Sequence, residues 1–270
     1  MGILQRITGG ALARPTSVRL KQYYSPMELA SIDILGADNV IGYRDATRVW
    51  GLEIPAAVPS FPYAEEDLRA CAEENKRGCN WRLIWTHGFS FRQQDQILGR
   101  NRKKQPCFHP DIARLLNGTC RQEKGRLMLD YIYYDPISDL TVKAGYRLLD
   151  FRGRFPGGRW ILQEDAIKNL GISYQRTEEQ VVTEACFSVY MVTKRRLLRN
   201  WCHYGQRHLG SHVSVGFFGS NGIHVEPIWD YGCNSRLRVV ISLTPDHRSL
   251  IFNPPTGGLV FSSPTGELVR

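Results

Sequence analysis

The sequence predicts an α+β fold: a mixed helical N-terminal part and an antiparallel β-rich C-terminal part packed on a long helix. Three observations carry this. Before residue 125, short stretches with helical apolar spacing alternate with Gly and Pro stops. TEEQVVTEACFSVYMV, 177 to 192, places Val181, Val182, Ala185 and Val189 at helical spacing behind an acidic start. VSVGFF and IHVEPIW then alternate around Asn221-Gly222, and NSRLRVVISL adds a run rich in β-branched residues. The organisation read from this is an N-terminal arm over 1–26, a mixed α/β region over 27–125, and an α+β domain over 126–270.

In chain order, residues 1–26 mix Gly, Pro, Ser and Arg around few apolar positions and read as a loosely docked arm. Ser25, Pro26 and Glu28 form a helix start, and Gly36 ends that helix. Asp38 to Gly51 reads as a short helix. Tyr63 to Asn75 follows Pro62 with Glu65, Glu66 and Asp67 in its first turn, where they favour the positive end of the helix dipole. WRLIWTHGFSF reads as a strand with Trp81, Leu83 and Trp85 on one face and Arg82 and Ile84 on the other. Phe91 to Gly99 and DIARLLN read as helices. RLMLDYIYYDP and LTVKAGYRLLDF read as a strand pair joined at Asp135-Pro136, and Trp160 to Leu170 as a helix or mixed stretch.

The 177–192 helix is expected to run on through a basic amphipathic helix to about Trp201. Asn221 and Gly222 are expected to be the central residues of a type I′ turn, because both tolerate positive φ. Pro227, lacking an N–H, places its strand at an edge or bulge. SLIF and GLVF suggest a terminal hairpin. No repeat of solenoid period is present.

A chain of 270 residues with 42% hydrophobic content can bury a sizeable core. No long apolar run marks a signal peptide or a membrane span, so a soluble, cytoplasmic protein is expected. The seven cysteines form no CxxC pair, which fits free thiols in a reducing compartment. The net charge is +9, concentrated in 61–126 and 181–270. Its densest runs are Arg100, Arg102, Lys103 and Lys104, and Lys194, Arg195, Arg196 and Arg199. Such runs attract acidic protein surfaces or phosphate backbones, with Trp201 and Tyr204 available for base stacking.

Zinc prefers imidazole and thiolate ligands, and Cys202, His203, His208 and His212 offer both, with His224 and Cys233 nearby. Cys107, His109 and Cys120 form a second, weaker group. For nucleophilic chemistry His87 stands at a strand end with Asp95 close in sequence, but no GxSxG surrounds a serine. Glu226 and Asp230 could act as a carboxylate pair. Gly153, Gly157 and Gly158 lack the spacing of a phosphate-binding loop. These observations favour a non-catalytic binding protein using a basic surface, with no cofactor expected. Nucleic-acid binding is the alternative, and a metal-dependent hydrolase around Cys202 to His224, holding zinc, the second alternative.

NVIGYRDATRVWGLEI, FPYAEEDL to WRLIW, AGYRLLD, TEEQVV and HVSVGFFGSNGIHV together resemble a family of uncharacterised proteins from uncultivated bacteria, over about residues 27–243. That resemblance implies no activity. YGCNSRLRVVISL after the GFFGSNGIHV hairpin is also similar to the closing strands of C-type-lectin-like and formylglycine-generating-enzyme-like domains, although Cys233 to Arg236 depart from their usual pattern.

Overall fold

The computed structural model describes residues 23–54, 57, 59–117, 121–123, 126–128, 138–157, 159–208, 211–229 and 236–245. The expected terminal hairpin and nearly all of the N-terminal arm lie outside these residues.

Helix α1, Pro26–Leu35, starts as its sequence requires. Ser25 Oγ accepts the Glu28 N–H at 3.2 Å, and the Glu28 carboxylate accepts the Ser25 N–H at 2.7 Å. Buried Glu28 also accepts the Tyr43 N–H and the Tyr146 hydroxyl, each at 2.8 Å. That capture starts helix α2, Tyr43–Val49, at residue 43. The helix expected from Asp38 is therefore divided, and Val40–Ile41 form strand β1.

Helix α3, Glu65–Lys76, leads to β2, Trp81–Thr86, through Asn75, which accepts the Trp81 N–H at 2.6 Å and donates to the Trp81 carbonyl at 3.1 Å. Every residue of β2 is buried, those of the Arg82 and Ile84 face included. Arg82 is accommodated there by donating to the Asp38 carbonyl at 2.8 Å and to Asn80 at 3.1 Å. Helix α4, Phe91–Leu98, has a Ser90/Gln93 capping box, and α5 spans Ile112–Asn117.

Strands β3, Arg121–Glu123, and β4, Arg126–Met128, make a separate two-stranded sheet. Of the expected pairing of 126–136 with 140–151, residues 126–128 pair with β3 instead, and 129–136 lie outside the described residues. Strand β5, Gly145–Arg154, pairs antiparallel along β2, Trp81 opposite Asp150 through Thr86 opposite Gly145. Helix α6, Trp160–Leu170, and strand β6, Tyr174–Arg176, precede α7, Glu179–Thr193. Strands β7, Cys202–His208, β8, Ser211–Gly219, β9, Gly222–Trp229, and β10, Leu237–Leu243, follow.

The main sheet has eight strands in the order β1-β2-β5-β10-β7-β8-β9, with β6 also paired to β10. The fold is thus mixed α+β, but not a helical N-terminal part beside a β-rich C-terminal part, because β1 and β2 belong to the same sheet as β7 to β10. Pairs β1/β2 and β7/β10 are parallel, and the others antiparallel. Helix α7 is buried from Glu179 through Val189, so it is the centre of the core, with Trp50, Phe108, Phe218 and Val215 among the core side chains around it.

The helix does not continue into the basic segment. Lys194 adopts a left-handed conformation at φ 60° and donates its N–H to the Tyr190 carbonyl, ending α7. Leu197 and Leu198 then turn into the core, and the Cys202 N–H bonds the Arg236 carbonyl to open β7.

The β8–β9 hairpin forms where expected, with a different turn. Gly219 pairs with Gly222, so Ser220 and Asn221 are the central residues, and only Gly222, at φ +101°, has positive φ among these four. This is the arrangement of a tight turn followed by a glycine bulge rather than a type I′ turn. Strand β9 ends the sheet order, and Pro227 lies in it opposite Val213, as an edge position allows. Among the described residues, no helix is long and apolar enough to cross a membrane.

Candidate metal centre

Strand alternation divides the histidine and cysteine group. Cys202, Gly216 and His224 are partners across β7, β8 and β9, so they share one sheet face, whereas His203, Val215 and Val225 share the other, which is the core face. Buried His203 uses both ring nitrogens: Nδ1 accepts the Val240 N–H at 3.0 Å, and Nε2 donates to the Thr177 carbonyl at 2.9 Å. Burial, with Arg176 nearby, pushes its pKa down to about 3. It is a core residue with no lone pair left for a metal. Cys202 is buried with Tyr204 and Leu237, and burial followed by the Glu226 charge pushes its thiol up to about 12, which disfavours a thiolate ligand. His212 packs its ring on Tyr204 and Trp160, at 4.7 and 5.2 Å, and its Nδ1 lies 3.2 Å from the Gln206 carbonyl. The side chain of His208 and all of Cys120, Asp230 and Cys233 lie outside the described residues.

One member of that region, His224, joins His109 and Asp111 instead. The loop after α4 runs along the free edge of β9: the Ile223 N–H bonds the Cys107 carbonyl at 3.0 Å, and the His109 N–H bonds the Ile223 carbonyl at 2.8 Å. This parallel bridge sets Phe108 beside Ile223 in the core and hence His109 beside His224 on the outer face. Gly222 permits the approach, since a Cβ there would stand 2.6 Å from the Cys107 carbonyl oxygen and the Phe108 carbonyl carbon. We predict that Gly222→Ala costs about 1–3 kcal/mol of stability, because it adds that clash to a positive φ, and separates His109 from His224. Urea denaturation with an unchanged midpoint would contradict this.

The imidazoles of His109 and His224 stack with centroids 3.7 Å apart and planes within 18°. Asp111, at the entry to α5, places Oδ2 3.1 Å from His109 Nδ1, and its own N–H points to the same nitrogen at 3.3 Å. One potential ligand atom from each of the three residues lies within 4.8 Å of the other two. His109 and Asp111 are partly exposed, at 21% and 40% of their side chains, and His224 is half-buried. Burial, then the neighbouring His109, lowers the His224 pKa against the opposing pull of Asp111, so His224 favours the neutral form that a metal requires.

The donor set fits a divalent ion. Two imidazoles and a carboxylate suit zinc with one coordination position left for water or substrate. The stacked rings must tilt about their χ2 angles to direct both lone pairs at one ion. Asp111 was legible in the sequence only as a helix start, and His109 only with Cys107 and Cys120. The spacing His109-Pro110-Asp111 at a loop-to-helix junction was the available signal.

The basic residues do not form one clear exposed patch. Arg100 is held by Asp95 at 2.6 Å, and Arg195 by Asp38 at 2.9 Å. Lys194 lies over the Tyr190 ring at 5.6 Å, and Arg196 over the rings of Tyr190 and Phe218 at 4.9 and 5.7 Å. Arg102 reaches Asn221 Oδ1 at 3.5 Å, while Lys103, Lys104 and Arg199 are exposed. His87 also has a different partner from the one expected in sequence. Asp95 is engaged by Arg100, and Glu184 lies 2.9 Å from His87 Nδ1, with Thr47 Oγ1 3.3 Å from Nε2. Thr47 and Glu184 are buried, and the His87 side chain is only 11% exposed, which makes this linkage a structural tie between α2, β2 and α7. No protein-family model, curated protein or solved structure matches this chain.

Proposed function

We propose that the chain is a metal-dependent hydrolase whose centre is His109, Asp111 and His224, with zinc the ion that best fits the donors. The carrying observation is the convergence of two imidazoles and one carboxylate within 4.8 Å on the outer side of an edge strand. Bound there, the ion supplies Lewis acidity and a water made more acidic. His109 and His224 would hold it as neutral ligands, and Asp111 would offset one of its two charges. The partial exposure of the three side chains leaves a substrate access from solvent. The free thiols Cys71, Cys79, Cys107, Cys186 and Cys202 fit a reducing compartment, and we place the protein in the cytoplasm.

Zinc titration followed by calorimetry tests the centre. The wild type is expected to bind one equivalent. Each of His109→Ala, Asp111→Asn and His224→Ala should weaken binding by more than the ~10- to 100-fold typical of losing an outer hydrogen-bond partner. Cys202→Ala should leave it unchanged. Absence of binding, or affinity indifferent to all three ligand substitutions, would overturn the reading. A non-catalytic interaction protein is the second reading, supported by exposed Lys103, Lys104 and Arg199, and gains weight in that event.

A further inference from the structure

We infer that the substrate class of this centre is a phosphodiester strand, a nucleic acid, with its backbone crossing the His109–His224 pair and the 102–104 loop; this rests on the metal-dependent reading above. Of the two chain segments that build the centre, the loop carries cations, whereas the β8–β9 hairpin has no Lys or Arg. The loop that delivers His109 presents Arg102, Lys103 and Lys104, and neither lysine has an acidic partner among the described residues. This loop is tied to the turn of the hairpin that delivers His224, with Gln105 Nε2 donating to the Ser220 carbonyl at 2.8 Å and Arg102 reaching Asn221.

Arg196 arrives from a distant segment and lies over Phe218 of the same hairpin. The opposing acidic groups are Asp111, a ligand in this reading, and Glu226, two residues beyond His224 on the same strand face. Arg236 lies over the Phe217 ring at 5.7 Å, and that ring stands 6.4 Å from the His224 ring, so its charge opposes that of Glu226 on this face.

A centre with one carboxylate for a divalent ion keeps a net positive charge. Cations spaced along the adjoining loop then favour a substrate with several phosphates over a neutral ester or a single acyl group. In hydrolysis the water oxygen bonds to phosphorus and the ester P–O bond breaks, its electron pair passing to the leaving oxygen. The proton lost by the water ends on that oxygen.

The test uses the full chain, with and without zinc, and a fluorescein-labelled single-stranded oligonucleotide read by anisotropy. Zinc calorimetry and the hydrolysis of bis(4-nitrophenyl) phosphate and 4-nitrophenyl acetate are measured beside it. Four phosphate contacts predict roughly a 50-fold loss of affinity from about 50 to 200 mM salt. The variant Arg102→Ala/Lys103→Ala/Lys104→Ala/Arg196→Ala should bind zinc normally while losing most of that salt dependence, and the phosphodiester should be cleaved in preference to the acetate.

Normal zinc binding without oligonucleotide binding, with an unaltered salt slope in the variant, or with preference for the acetate, overturns the substrate class and leaves the metal centre standing. Oligonucleotide binding without zinc binding overturns both the centre and this inference, leaving a non-catalytic basic surface. Absence of both overturns both as well.

Discussion

Glu184→Ala is expected to destabilise the fold by about 3–5 kcal/mol, the range for breaking a buried charged group from its partners. The Glu184 side chain is wholly buried and accepts three consecutive main-chain N–H groups, from His87 at 2.5 Å, Gly88 at 3.1 Å and Phe89 at 3.2 Å. It also faces His87 Nδ1 at 2.9 Å. Alanine leaves three donors unsatisfied between α7 and the end of β2, each costing about 1–3 kcal/mol if buried without water. Glu184→Gln keeps one carbonyl oxygen but turns an NH2 towards N–H donors, so it should fall between alanine and wild type. Chemical denaturation of the three proteins decides: a loss below about 1 kcal/mol for alanine would mean that water replaces the carboxylate. The same clamp holds His87 against Thr47 and the stacked ring of Phe89, so local hydrogen exchange at 87–89 should rise in both variants.

Acid should unfold the protein partly through His203. In the native state its pKa is pushed down to about 3 by burial and Arg176, whereas an unfolded histidine titrates near 6.5. The unfolded chain therefore binds an additional proton between these values. The contribution is complete above pH ~6.5 and is lost as pH falls towards ~3, on the order of 5 kcal/mol across that window. His203→Gln offers a carbonyl to the Val240 N–H and an NH2 to the Thr177 carbonyl without titrating. Its unfolding free energy should fall less steeply between pH 6 and 4 than that of the wild type, by about one proton. Equal slopes for the two proteins would show that His203 does not govern acid stability.

Local signals in the sequence were sufficient wherever a few neighbouring residues settle the outcome. Ser25, Pro26 and Glu28 begin a helix, Glu65, Glu66 and Asp67 fill the first turn of another, and the alternation in 211–229 makes a hairpin. Composition and spacing thus determined a mixed α+β chain and the existence of most of its elements. Tertiary structure decided what those signals leave open. Glu28 reaches across to Tyr43 and Tyr146, dividing one expected helix, and β2 takes cover on both faces despite Arg82.

The candidate centre shows the same limit. Cys202 and His203 are adjacent in sequence, yet strand alternation sends them to opposite faces, whereas His109 and His224 meet because Cys107–His109 adds to the edge of β9 at Gly222. Sequence proximity carries information about capping and turns, whose hydrogen bonds span three or four residues. Side chains separated by a hundred residues are brought together by strand register and loop docking, and those depend on which surfaces the whole core must cover.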